Sequence, residues 1–296
     1  VGDGFVIVGA PMTDSASEGG RDDAINAASD RPQAPIRWSR RPLWRSGPLV
    51  GPLGFGAFKI GRNEGIKYQR GYALPDETSA SALLRGVLGL GIDLIDTAPA
   101  YGASEARIGR HLNGSRDRFT LITKVGESFE DGRSTYAYDA DSIRRSVDTS
   151  IERLGGPPDL LLLHSDGRDL EILRDTDAVR AMERARDGGL VRAIGMSAKS
   201  DEGTIAALPW AESVMVEYHI DRPQSRAVLE AAAERGVGTI VKKGLASGRL
   251  PAAEAIRFVL ACDAVDTLAV GGLSLEHLAS NIAVATRCRP APAEST

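Results

Sequence analysis

Eight times after Pro52 a short apolar run is followed by a segment with the 3.6-residue period of a helix, and this alternation constrains the fold more than any other feature of the chain. The apolar runs fall at 53–59, 92–96, 119–124, 159–164, 191–196, 213–218, 238–243 and 267–270. The helix-period segments fall at 76–90, 104–112, 141–154, 173–187, 202–208, 224–235, 252–261 and 275–284. Strand then helix, repeated, implies a parallel sheet covered by helices. Eight such units in about 235 residues suit a closed barrel, which takes ~250, better than an open sheet. An open doubly wound sheet would also want a glycine-rich phosphate turn after its first strand, and none follows the run at 53–59. The expected fold is therefore α/β: a single (β/α)8 TIM barrel over residues 50–296.

Residues 1–49 carry no sustained period and read as an irregular or disordered leader. Its later part is rich in arginine and proline, holds Trp38 and Trp44, and has no acidic residue after Asp30. A basic, aromatic arm for an anionic partner or a neighbouring subunit is the sharper but less favoured reading. Deleting residues 1–45 should then leave the barrel intact. Gly2-Asp3-Gly4 lacks the strand before it and the helix after it that a dinucleotide loop requires. The net charge of −4 gives no reason to expect nucleic acid or an anionic membrane as partner. No apolar run approaches the ~20 residues of a membrane span, and the apolar stretch 5–10 lacks the basic flank of a signal peptide. Cys262 and Cys288 stand apart, with no His or Cys at metal spacing, so neither a disulfide framework nor a metal site is expected. That cysteine usage favours a reducing, cytoplasmic compartment.

Barrel chemistry sits at the C-terminal ends of the strands. There the second run ends on Asp96 and leads into Tyr101, the third ends on Lys124, and four leucines, 160–163, deliver His164. Each has an ordinary reading: a helix cap, a packed phenol, a solvated charge, a satisfied core histidine. Four chemically interlocking groups on one rim argue for a site.

The same residues resemble the aldo/keto reductases. Asp96-Thr97-Ala98-Pro99-Ala100-Tyr101-Gly102, Ser104-Glu105, Lys124 and His164 carry the likeness, with Gly54-Phe55-Gly56 and Gly195-Met196-Ser197 adding to it. It covers roughly residues 50–288. Segments 59–63 and 164–167 look like a bacterial branch. The resemblance implies reduction of an aldehyde or ketone to an alcohol, with hydride from NAD(P)H bound extended across the barrel mouth. It implies Tyr101 as proton donor, Lys124 favouring the phenolate, Asp96 holding Lys124, and His164 bonding to the carbonyl oxygen. A small-molecule carbonyl compound is the expected partner.

For the cofactor, the matching positions are Gly56, Ala57, Ser197, Met215, Lys242, Lys243, Gly271, Gly272, His277 and Asn281, and several depart from the family pattern. Ser197 is followed by Ala198 where the family commonly has Asn, and Met215 stands where a Gln usually grips the carboxamide. Lys242, followed by Lys243, replaces a Tyr that stacks on the nicotinamide; strand alternation sends these two lysines to opposite sides. Gly271 and His277 stand where NADPH-selective members place Lys and Arg, and an imidazole mostly neutral at pH 7 does not replace a guanidinium fork. NADPH is the expected cofactor, with NADH as the alternative. Two other readings compete. One is a barrel that binds nicotinamide nucleotide as a non-catalytic sensor or scaffold. The other is an isomerase- or aldolase-like barrel using Lys124 as a Schiff-base amine, which leaves Tyr101 and His164 without a task.

Overall fold

The computed structural model describes residues 38–66 and 71–292; the earlier leader, with Gly2-Asp3-Gly4, lies outside the described residues. The described chain begins with a short antiparallel hairpin, β1 (Arg41–Pro42) and β2 (Leu49–Val50). Strand β3 (Leu53–Gly56) opens the barrel, followed by α1 (Glu77–Gly89), β4 (Leu94–Asp96), α2 (Ser104–Leu112) and β5 (Thr120–Val125). A second hairpin, β6 (Glu127–Glu130) and β7 (Arg133–Tyr136), precedes α3 (Ala140–Leu154). Then come β8 (Leu160–His164), α4 (Asp169–Asp175), α5 (Ala178–Asp187), β9 (Ala193–Ser197), α6 (Asp201–Ala207) and β10 (Ser213–Glu217). Helix α7 (Arg226–Glu234), β11 (Gly238–Lys242), α8 (Ala252–Leu260), β12 (Thr267–Val270) and α9 (Leu275–Cys288) complete the series. Strands β3, β4, β5, β8, β9, β10, β11 and β12 pair in parallel and close on one another as a barrel. Both faces of each are covered, which is why they read as near-continuous apolar runs rather than as alternating ones. No helix among the described residues is long and apolar enough to cross a membrane.

Three elements differ from the sequence expectation. The first strand stops at Gly56, and Ala57–Ile60 turns as a 3-10 helix toward the rim. The helix expected over 173–187 is two helices, with Thr176 extended between α4 and α5. The third concerns the leader, expected to be irregular through residue 49, of which residues 38–49 are described. Trp38, Leu43 and Trp44 are buried. Leu43 and Trp44 pack with Leu94, Leu160 and Ala193, residues that begin barrel strands, and with Ile122, Leu162, Met215 and Ile240 above them. The hairpin thus closes the N-terminal end of the barrel. The Leu43 carbonyl accepts from Ser213 Oγ at 2.8 Å, and Gly51 N–H donates to Asp93 Oδ1 at 2.8 Å. Two-residue strands are too short to show a period, so proline and arginine dominated the reading of this segment.

The β6–β7 hairpin has a plainer signature. Asp131-Gly132 forms its two-residue loop, with φ of 49° and 75°. Two left-handed central residues make the turn whose twist matches paired strands, and Asp-Gly is among its preferred sequences.

Candidate active site

Asp96 ends β4 opposite Ile122, and Lys124 lies two residues further along β5 on the same face, so both side chains enter the rim. Lys124 Nζ donates to Asp96 Oδ1 at 2.5 Å and to the Thr97 carbonyl at 2.8 Å. Lys124 is only 1% exposed, and a charge so far from water persists only when paired in this way. Its Nζ stands 4.7 Å from the centre of the Tyr101 ring.

Tyr101 ends a 3-10 turn, Pro99–Tyr101, held by close backbone contact with the segment after β3. Gly102 has φ +59°, and a Cβ there would lie 2.3 Å from the Gly61 carbonyl oxygen. A Cβ on Gly61 would meet the Tyr101 carbonyl at 2.0 Å. Both positions need glycine, one for its backbone angle and both for space. The Ser104-Glu105 pair proves structural. Ser104 Oγ accepts from Thr97 Oγ1 at 2.8 Å and donates to the Ala57 carbonyl at 3.0 Å, stitching the two rim loops together. Glu105, fully buried, accepts from Thr123 Oγ1 at 2.6 Å, and its carboxyl is raised by burial.

His164 ends β8 with its ring centre 6.4 Å from that of Tyr101, the planes at 86°. The four rim residues named from sequence are therefore together. Three further residues, unforeseen, surround them. Tyr138 Oη donates to the His164 carbonyl at 3.0 Å. Arg62 donates to the Ala100 carbonyl at 2.9 Å and to Ser134 Oγ at 3.3 Å, with its guanidinium 3.5 Å from the Phe129 ring centre, joining the Tyr101 turn to the second hairpin. Glu127, at the start of β6, sets Oε2 2.9 Å from His164 Nδ1, at an angle too bent for a straight hydrogen bond. Burial would raise the Glu127 carboxyl, but the neighbouring His164, Ser134 and Tyr136 hold it down to about 2. His164 is lowered by burial, only partly offset by Glu127, and Lys124 and Lys242 lower it further.

Of the residues expected from sequence to meet a cofactor, Lys242 ends β11 and donates to Ser197 Oγ at 2.8 Å and to the Ala198 carbonyl at 2.6 Å. Burial, then the charges of Lys243 and Lys124, pull its ammonium down to about 7. Lys243, at φ +53°, instead pairs with Glu217. Gly56 pairs in register with Asp96, and Gly271 lies beside it: a Cβ on Gly271 would stand 3.0 Å from the Gly56 carbonyl oxygen. Gly272 follows, and then Ser274, whose side chain caps α9 by accepting from His277 N–H at 3.2 Å. His277 and Asn281, four residues apart, share one face of α9. Two residues fit less well. Met215 is buried in the barrel interior, where its thioether offers no grip on an amide. Ala57 is fully buried, and its carbonyl is taken by Ser104.

The bare backbone at Gly56 and Gly271, beside the capped N-terminus of a 14-residue helix, fits an extended dinucleotide whose phosphates need close N–H groups.

The profile of the aldo/keto reductase family matches residues 52–254. The chain is 30% identical over 238 residues to a D-threo-aldose 1-dehydrogenase of a Pseudomonas species, covering 71% of this chain and 70% of that one. A solved structure described as an aldo-keto reductase of Pseudomonas aeruginosa superposes with a TM-score of 0.79 at 38% identity, covering 86% of this chain and 97% of that one. The holo form of an aldo-keto reductase of Bacillus halodurans gives 0.71 at 26% identity, covering 88% and 92%. The barrel, the rim and these likenesses agree: the chain belongs to the aldo/keto reductase family, oxidoreductases acting on carbonyl/alcohol pairs.

Proposed function

We propose that this protein reduces an aldehyde or ketone to the alcohol with NADPH, NADH serving as the alternative, and that Tyr101 is the general acid. The observation that carries this is the buried Lys124, tied to Asp96 and set 4.7 Å from the Tyr101 ring. A structural lysine has no need of that place. An acid whose anion must be stabilised does. A bound nicotinamide would supply the hydride. Tyr101 Oη gives its proton to the carbonyl oxygen as charge develops there, and Lys124 steadies the phenolate left behind. Asp96 keeps Lys124 charged and aimed. His164 contacts the substrate oxygen. Ser197 and Lys242 would hold the nicotinamide end, Gly56, Gly271, Gly272 and the start of α9 the phosphates, and His277 and Asn281 the adenosine end. Met215, Ala57 and Lys243 would at most line this path. The Pseudomonas relative's name, a sugar 1-dehydrogenase, supports a small polar carbonyl/alcohol substrate. Two unpaired cysteines support a cytoplasmic setting.

A non-catalytic nucleotide sensor is the second reading, favoured by the apolar Met215 and by the tie of Lys242 to Ser197. Replacing Tyr101 with Phe separates the two. The variant should bind NADPH as the parent does, followed by fluorescence, and lose aldehyde reduction by ~10²-fold or more. A parent protein that binds NADPH but turns over no aldehyde in a panel would establish the sensor.

A further inference from the structure

The reaction set out above makes no use of Glu127, yet the second hairpin delivers its carboxylate to 2.9 Å from His164 Nδ1. Tyr136 stands opposite it in the same hairpin with Ser134 two residues before, and Arg62 donates to Ser134 Oγ. Glu127 is 9% exposed and the His164 side chain 16%, so water screens the contact little. A neutral imidazole has one proton for two nitrogens, and its partners decide where that proton sits. A carboxylate can only accept. Beside Glu127 the proton belongs on Nδ1, which leaves Nε2 with a lone pair.

We propose that Glu127 is a positioning residue that fixes the tautomer of His164: the neutral ring faces the substrate with a bare Nε2, and Nε2 donates to a carbonyl oxygen only when the ring is cationic. This rests on His164 being the substrate contact described above. The charged and titratable groups around the ring are Glu127 from β6, Lys124 with its partner Asp96, Lys242 from β11, and Tyr101 from the rim turn. Glu127 favours the cation; burial and the two lysines oppose it. The cation therefore forms only below the ordinary histidine range, and carbonyl reduction gains its second donor as the pH falls.

Two measurements test this. The chain has four histidines, so the ring nitrogens of His164 can be assigned by 15N NMR in the parent protein at about pH 7.5. Nδ1 should carry the proton and Nε2 none; a proton on Nε2 overturns the proposal. No turnover is needed, so this outcome is independent of the Tyr101 experiment. The second measurement is kcat/KM for carbonyl reduction against pH, for the parent and Glu127→Gln. Parent reduction should rise about tenfold from pH 7.5 toward pH 5. The glutamine amide can donate to Nδ1 and leave the proton on Nε2, so the reduction limb should flatten to less than about twofold. A variant that keeps the parent's acid limb also overturns the proposal.

Discussion

Lys124 is the residue on which both stability and chemistry converge. At 1% exposure it is a fully buried charge whose partners are Asp96 and the Thr97 carbonyl. Lys124→Met removes the charge, keeps an unbranched chain, and strands the Asp96 carboxylate. We expect a stability loss of roughly 3–5 kcal/mol at most, read by urea unfolding, together with loss of aldehyde reduction. Adding Asp96→Asn should recover part of the stability, since no charge is then stranded, and none of the activity. An active Lys124→Met protein would remove the mechanism and leave only the fold in common with the family. At this scale the sequence was most informative. Asp96, Tyr101, Lys124 and His164 sit where strand ends place them, and strand ends can be read from periodicity. Glu127 could not be read in this way. It follows Gly126 just beyond the end of β5, where the eight-fold alternation names no strand, and it meets His164 because β5 runs beside β8.

The two hairpins are the elements that the alternating pattern concealed, each for a different reason. The first has strands of two residues, and its apolar members, Leu43 and Trp44, fall within the turn between them. Nothing there repeats at a period of two or of 3.6, and the burial is contributed by isolated side chains. The second did carry a turn signal, Asp-Gly, but its strands show little apolar alternation because they are mostly exposed and the one buried residue, Glu127, is itself charged. For the first hairpin the consequence is measurable. Leu43 is fully buried inside the barrel's N-terminal end, so Leu43→Ala should cost about 2–5 kcal/mol. Turnover per folded molecule should stay near that of the parent, because the rim lies at the opposite end of the strands. Paired denaturation and kinetic runs would check this, and a variant as stable as the parent would show the hairpin to be dispensable. Truncation through residue 45, which the sequence alone made harmless, is expected to be destabilising for the same reason.

At the scale of the whole molecule, two groups shape how stability depends on pH. Lys242 is pulled down to about 7 in the folded protein, whereas an unfolded lysine titrates near about 10.4. Between those values the unfolded chain binds more protons, so this group makes stability rise with pH across that window. Below about 7 both states are protonated and its destabilising effect is complete. Glu127 acts at the other end. Its folded carboxyl lies at about 2, below the unfolded value of about 4.3, so its contribution is present above the latter and lost as pH falls toward 2. Lys242→Met should therefore be more stable than the parent at pH 6, with the difference shrinking by pH 9.5. Unfolding curves at the two pH values measure it, and a difference that does not change with pH would show that Lys242 titrates normally.

The hairpin seated in the N-terminal end gives the barrel the form of a cup rather than a tube. Nothing can pass through it. With the site proposed above, substrate, cofactor and displaced water would all use the rim, so a product still resting on His164 would stand in the way of the next molecule to arrive. Traffic at that one opening runs in sequence, and a bulky product slow to leave would hold back the whole cycle however fast the proton moves.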